Sequence, residues 1–456
     1  FSIAAVGLAN PLDVSHQGLT FQGPVTIQPQ GGARTAITFS ANQITVQGSV
    51  RFLNTTVSVG GAFGTTGFRM LGNRFEGDSA LFFEQDADCE VRDNTFSSSP
   101  QNAQVIGTSF TENCAIVHNS FDTSVDAAIR DDESEGLVID DNTANADISV
   151  AAKSGAVTNN DVPEIWVFPP GAGANLPLTV SGNDVDLLFV KRSNVEVLGN
   201  TVHAGDGFGR LGAAAFSVHG GPPSTGNFSA RNNTVTGGET GILFADLFGP
   251  TQSSELREND VSGAEKIGIT ARLTAGTVVA SNPVHDNGTG TGGTGIEILH
   301  ARTPGVTENN PVTNTLGVGI EVIEPGQTYT VRGNTITGST AAGIEMVGGP
   351  GRLTIEANTV ATNQGPGVAI RDGALAAVAG GSYTENGDAG ILVFPGARSE
   401  ITQISATGNV GPGIDLFPKA VTPNPATKDA NQDLDWPEFV WDPASQQIIG
   451  TAAPLS

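Results

Sequence analysis

The stretch Val331-Arg-Gly-Asn334-Thr-Ile336, with Gly343-Ile-Glu345-Met346 after it, decides the fold, because the chain repeats it at a nearly constant interval. Toward the C-terminus the same pieces return as Asn358/Val360 and Gly367-Val-Ala-Ile370. Toward the N-terminus they are Asn310/Val312 and Gly319-Ile-Glu321-Val322. Further back, an Asn followed two residues later by an apolar side chain recurs as Asn73/Phe75, Asn94/Phe96, Asn119/Phe121, Asn160/Val162, Asn183/Val185, Asn200/Val202, Asn233/Val235, Asn259/Val261 and Asn282/Val284. With the weaker Asn142, Ser382 as a substituted copy and a last Asn409, fourteen intervals of mean length 24 residues connect Asn73 to Asn409.

Five and three residues before each Asn stand apolar pairs such as Phe68/Met70, Cys89/Val91, Leu137/Ile139 and Leu178/Val180. That is the period-two alternation of a strand with one buried face. Each unit holds about three short strands separated by turns and has no helical window. A unit this small cannot cover its own apolar face, so it must stack on copies of itself. The expected fold is all-β, a parallel solenoid of about 16 coils. An Asn at one fixed turn position can then bond its equivalents above and below, an internal amide ladder that satisfies otherwise costly buried polar groups. The Asn column is therefore read as structural rather than catalytic.

These segments resemble the right-handed parallel β-helix repeat proteins of the pectate-lyase-like superfamily, and the resemblance covers residues 45–417. It implies a right-handed, single-stranded parallel β-helix there, with residues 1–44 as N-terminal coils or the solenoid edge and residues 418–456 as an acidic tail. The superfamily hosts lyases, hydrolases, epimerases, adhesins and phage spikes, so the resemblance specifies a fold and not an activity. Gly413-Ile-Asp-Leu416, Val421-Thr-Pro-Asn424 and the run from Asp429 to Phe439 look like the closing segment of β-helices in large secreted bacterial surface proteins. An immunoglobulin-like sandwich often follows in those proteins, and Ile448-Ile-Gly-Thr451 would be its first strand. The opening at Phe1, without Met or a basic-then-apolar leader, reads as a processed chain or a piece of a longer one.

Acids outnumber bases 47 to 21, and the net charge of −26 repels nucleic acid and anionic lipid. The long uncharged run from Ile165 to Asn183 is broken by Pro169, Pro170, Gly171, Gly173 and Pro177, so no membrane insertion is expected. Two cysteines and six scattered histidines argue against a transition metal, and no cofactor is required, calcium being the one ion the sequence suggests. Three Trp and two Tyr do not promise an aromatic-rich recognition surface.

Enzymes of this superfamily that act on polyuronides need clustered carboxylates, a proton-transferring base and an Arg or Lys near the substrate carboxyl. Pro283-Val-His-Asp286 approaches one such motif but follows Asn282 and reads as an ordinary coil turn. Val218-His219-Gly220 lies with Asp206 and Arg210 in the longest interval, 33 residues from Asn200 to Asn233. His219, Arg210 and Asp206 are therefore the catalytic candidates. The run Asp131-Asp-Glu-Ser-Glu135 reads as an exposed charged turn. Acids are plentiful on the predicted faces, and no matching base is found among them.

Glu297, Glu321 and Glu345 occupy one outward position in successive coils and form a candidate binding column for calcium or a cationic ligand, against the plainer reading of splayed, solvated side chains. Asp429, Asn431, Asp433 and Asp435 alternate oxygen donors at calcium-loop spacing, although Leu434 stands at the glycine position of an EF-hand and no Glu stands at the twelfth. A calcium ion there would pin the tail. Cys89 and Cys114 should stack on adjacent coils with their side chains inward, as buried free thiols rather than a disulfide. The leading functional expectation is a secreted or cell-surface structural or adhesive β-helix that is not an enzyme. It would partner with copies of itself or with neighbouring surface domains. The alternative is a polysaccharide-active lyase, hydrolase or epimerase whose substrate is an acidic glycan.

Overall fold

The computed structural model describes residues 5–8, 12–29, 34–60, 64–98, 100, 104–171, 176–192, 194–204, 214–219, 228–245, 254–272, 276–290, 292–302, 304–416, 438–442 and 447–451. It divides into two compact units, Phe1–Asp260 and Val261–Ser456. Every regular element among the described residues is a strand, and no helix is long and apolar enough to cross a membrane.

In the first unit each coil carries three strands. The coil around Asn142 has one before the Asn, Leu137–Asp140, one just after it, Thr143–Ala144, and a third, Asp147–Ala151. Each pairs in parallel with its counterpart in the next coil: Ile139 with Val157, Thr143 with Asp161, Ile148 with Ile165. Burial follows the alternation, with Leu137 and Ile139 in the core and Val138 outside. The coils begin before residue 45, since Leu12–Val14 pairs with Thr35–Phe39 and Thr20–Gln22 with Thr45–Gln47. Two places after successive ladder positions, Phe75, Phe96 and Phe121 extend a stack that starts at Phe52, with ring centroids 4.7, 4.5 and 4.7 Å apart. Each such contact adds about 0.5–1.5 kcal/mol beyond area burial.

The residue before each ladder Asn adopts positive φ, for example Asp93 at 57°, Asp141 at 51°, Asn159 at 54° and Asn232 at 54°. Asn, Asp and Gly tolerate this left-handed corner best. The corner delivers the next side chain inward. Asn160 Oδ1 accepts from the N–H and the Nδ2 of Asn142 at 3.1 and 3.0 Å, and its own Nδ2 donates to Asn183 Oδ1 at 2.9 Å. This linkage runs through Asn73, Asn94, Asn119, Asn142, Asn160, Asn183, Asn200, Asn233 and Asn259, so Asn142 is a full member.

The second unit repeats the plan, with a ladder through Asn282, Asn310, Asn334 and Asn358. Its end differs from the sequence expectation. Thr359 pairs with Ser382, so the ladder position after Asn358 is Gly381 and Ser382 lies one place beyond it. A Cβ at Gly381 would sit 2.6 Å from the Asn358 carbonyl oxygen, and its φ is +89°, which together require glycine. Asn409 belongs to a second ladder at the following turn, where Ser339 N–H donates to Asn363 Oδ1, Asn363 to Asn386 and Asn386 to Asn409. The two ladders run only five residues apart in each coil, and a count by interval alone merges them.

Two further expectations are corrected. Cys89 and Cys114 form a disulfide rather than free thiols, because stacking on adjacent coils brings their Cα atoms to 4.5 Å. Asp131 is not part of an exposed turn: it lies at an inward position of the strand Ala127–Asp132, 1% exposed, and accepts a 2.8 Å hydrogen bond from Thr108 Oγ1. Glu438–Asp442 and Gln447–Thr451 pair with each other as an antiparallel hairpin. Asp429, Asn431, Asp433 and Asp435 lie outside the described residues.

Candidate functional site

The third strands of consecutive coils in the first unit make one sheet face, and its outward side chains form rows across the coils. In the strands Ala127–Asp132, Asp147–Ala151, Asp161–Val167 and Asp184–Val190, the residues Ile129, Ile148, Ile165 and Leu188 point into the core. One place further along, the register aligns Arg130, Ser149, Trp166 and Phe189 in a single outward row. One place earlier, Asp147 and Glu164 stand side by side on neighbouring strands, a step of roughly 4.8 Å.

A β-bulge sets the position of Asp147. Ala127 pairs with Asp147 and Ile129 with Ile148, so Ala128 is an extra residue in its strand. Bulges re-aim side chains. Here the shift brings Asp147 next to Asp126, whose carbonyl accepts the Asp147 N–H at 3.3 Å. Burial first, then Glu164 and then Asp126, pushes the Asp147 carboxyl up to about 7 from its ordinary 3.8. Glu164 Oε2 accepts the indole N–H of Trp166 at 2.7 Å.

The Trp166 ring lies 4.9 Å from Phe189 and 6.2 Å from Phe168, and Phe168 and Phe189 are 6.1 Å apart. All three rings are half-buried on the outer side of the sheet. Arg130, Asp132 and Lys191 are exposed along the same face, with the Lys191 N–H bonded to the Val167 carbonyl at 2.7 Å. This corrects the expectation that no base accompanies the acids. The arrangement offers an aromatic platform, a carboxyl that holds its proton near neutral pH, and a second carboxyl fixed by an indole.

His219 ends the strand Ala214–His219, which pairs with Asp184–Val190 and so extends this sheet by one coil. Asp206 and Arg210 lie outside the described residues.

In the second unit Glu297 pairs in register with Glu321, and Glu321 with Glu345. They are not splayed into solvent. Glu345 is 9% exposed, and burial raises all three carboxyls, reinforced by Glu321 at Glu297 and Glu345. Each has a protein partner: Thr270 Oγ1 at 3.4 Å from Glu297, Thr294 Oγ1 at 3.2 Å from Glu321, and Arg371 Nε at 2.6 Å from Glu345 Oε1. The Arg371 guanidinium lies 4.4 Å from the centroid of the Phe394 ring. Among the described residues no three His, Cys, Asp or Glu side chains converge as a metal cage would require.

Residues 322–429 match the family model of the right-handed beta helix region. No curated protein sequence matches the chain. Among solved structures, a double mutant of the periplasmic alginate epimerase AlgG is 12% identical with a TM-score of 0.32, over 83% of this chain and 78% of that one. The A-module of the mannuronan C-5 epimerase AlgE6 of Azotobacter vinelandii is 14% identical with a TM-score of 0.25, over 88% of each chain. The catalytic unit of an alpha-1,3-glucanase from Streptomyces thermodiastaticus is 13% identical with a TM-score of 0.20, over 89% of this chain and 62% of that one.

Reading by repeat does not reveal the Asp147–Trp166 face. Its acids fall at intervals of 21 and 17 residues, Asp126 to Asp147 to Glu164, so a 24-residue period never aligns them. One signal was available. Glu164-Ile-Trp166-Val-Phe168 alternates two buried aliphatic residues with three outward polar or aromatic ones, which marks a strand whose outer face has work other than solvation.

Proposed function

We propose that the chain works outside the cytoplasm as a β-helix that binds a polysaccharide along the outward face around Trp166, Asp147 and Glu164. The observation that carries this reading is the platform of Trp166, Phe168 and Phe189 beside paired carboxyls. Sugar rings stack on aromatic faces while carboxyls accept their hydroxyls, and a site of this kind is apolar with a few convergent polar groups. The Cys89–Cys114 disulfide supports an oxidising compartment. An adhesive role accommodates this binding without chemistry.

A catalytic role is favoured by one feature, the unequal pair on adjacent strands. A carboxyl that keeps its proton to about pH 7, next to one that accepts an indole N–H, is the division of labour between an acid and its partner. The test is incubation of the full chain with neutral and charged polysaccharides, reading both retention on the polymer and new reducing or unsaturated ends. Retention lost in Trp166→Ala supports the binding face. Product formation lost in Asp147→Asn, with retention kept, makes the chain an enzyme. If Trp166→Ala is retained as well as the parent, the proposed face is wrong.

A further inference from the structure

We infer that the glycan held on this face carries free amino groups, as a polyglucosamine does. The inference rests on the polysaccharide reading above. Asp126, Asp147 and Glu164 belong to three consecutive coils, and the β-bulge at Ala128 brings the first two together. The charged groups acting on Asp147 are both acids, Glu164 and Asp126, with no basic side chain among them. Arg130 lies in the Trp166 row, and Lys191 bonds through its backbone beside Phe168, so neither base shares the Asp147–Glu164 row. Asp147 and Glu164 are half-buried and Asp126 is exposed, and a carboxyl drawn out of water is matched by a cation or holds a proton. On this face the protein supplies no cation in that row.

The aromatic platform gives the same answer independently. An ammonium group is drawn to the face of an aromatic ring, and indole is the strongest such partner. The Trp166 N–H is already engaged by Glu164, which leaves the ring face for the ligand and holds the carboxylate at its edge. Ring face and carboxylates together complement a cation on a sugar. A polyuronate, the acidic glycan expected from the sequence, would bring one more carboxylate per sugar to a chain of net charge −26. A neutral glycan would stack on the rings and leave the acid cluster without a counter-charge.

The experiment is calorimetric titration of the full chain at pH 7, where Asp147 is partly ionised and a share of the sugar amines is charged, with four β-linked hexasaccharides: glucosamine, N-acetylglucosamine, glucose and mannuronate. The glucosamine hexamer is expected to bind at least about tenfold more tightly than its N-acetyl counterpart. Added salt should shrink that margin. The double variant Asp147→Asn, Glu164→Gln should lose the margin while still binding the N-acetyl hexamer, which shows that the platform remains folded. Trp166→Ala should weaken both. Equal affinity for the amino, N-acetyl and glucose hexamers, or preference for mannuronate, overturns the amine inference and leaves the polysaccharide reading standing. Failure of all four to bind overturns both.

Discussion

A single Asn per coil carries much of the polar accounting of the interior. Removing Asn160 takes away the acceptor for both the N–H and the Nδ2 of Asn142 and the donor to Asn183. Asn160→Ala should therefore cost at least about 2 kcal/mol, since each buried group left unpaired is worth about 1–3 kcal/mol, read as a lower denaturation midpoint. The carboxyls act in the opposite sense to ordinary surface acids. Burial pushes Asp86 and Asp131 to about 6, and Asp147 reaches about 7. A carboxyl whose value is higher folded than unfolded binds its proton more tightly when folded. It favours folding most fully below the unfolded value of 3.8, and that contribution is lost as pH rises through about 6–7. Melting temperature should fall between pH 4 and pH 7, and Asp147→Asn should flatten the upper part of that slope. An Asp147→Asn profile that superimposes on the parent would contradict the placement of this carboxyl. The ladder residues were legible because Asn recurs at a fixed turn. The proton affinity of Asp147 was not, because it depends on burial and on neighbours 17 and 21 residues away, one aligned by strand register and the other by a bulge.

At the scale of elements, the coil is held by what repeats directly above and below it. Phe96 is fully buried between Phe75 and Phe121, with ring centroids at 4.5 and 4.7 Å. Phe96→Ala should cost about 3–5 kcal/mol, as large-to-small changes in a packed core do, and chemical denaturation followed by circular dichroism reads it directly. The Cys89–Cys114 bond closes a span of 25 residues across two neighbouring coils. Replacing both cysteines with Ser should lower stability by up to about 3 kcal/mol. Intact mass before and after reduction checks the bond itself, with a gain of two hydrogens expected. The sequence placed both cysteines on adjacent coils with inward side chains. Whether they bond was settled by the approach of their Cα atoms, which a repeat count cannot supply. The second Asn ladder, offset by five residues from the first, was hidden for a related reason: Thr315 and Ser339 stand at its position between Asn287 and Asn363, and a search for Asn passes over them.

At the scale of the molecule, each unit presents an outward sheet face of different character. In the first, aromatic rings and acids share the face; in the second, Glu297, Glu321 and Glu345 are each taken up by a protein partner. Glycan retention should therefore depend on Trp166 and should survive Glu321→Gln, a contrast that affinity electrophoresis in polysaccharide gels measures. Loss of retention in Glu321→Gln with Trp166 intact would move the site to the second unit. What the sequence determined by itself is the solenoid: the 24-residue period, the alternation of apolar residues and the Asn at the turn are local and repeated, and only stacking satisfies them. What the tertiary structure decided is the row on the outer face. The outward residues of this row are not held by the core's burial constraint, and unlike the Glu297–Glu321–Glu345 column they carry no period. Asp147 and Glu164–Trp166 become neighbours only through strand register, and a single inserted residue at Ala128 adds Asp126 to them.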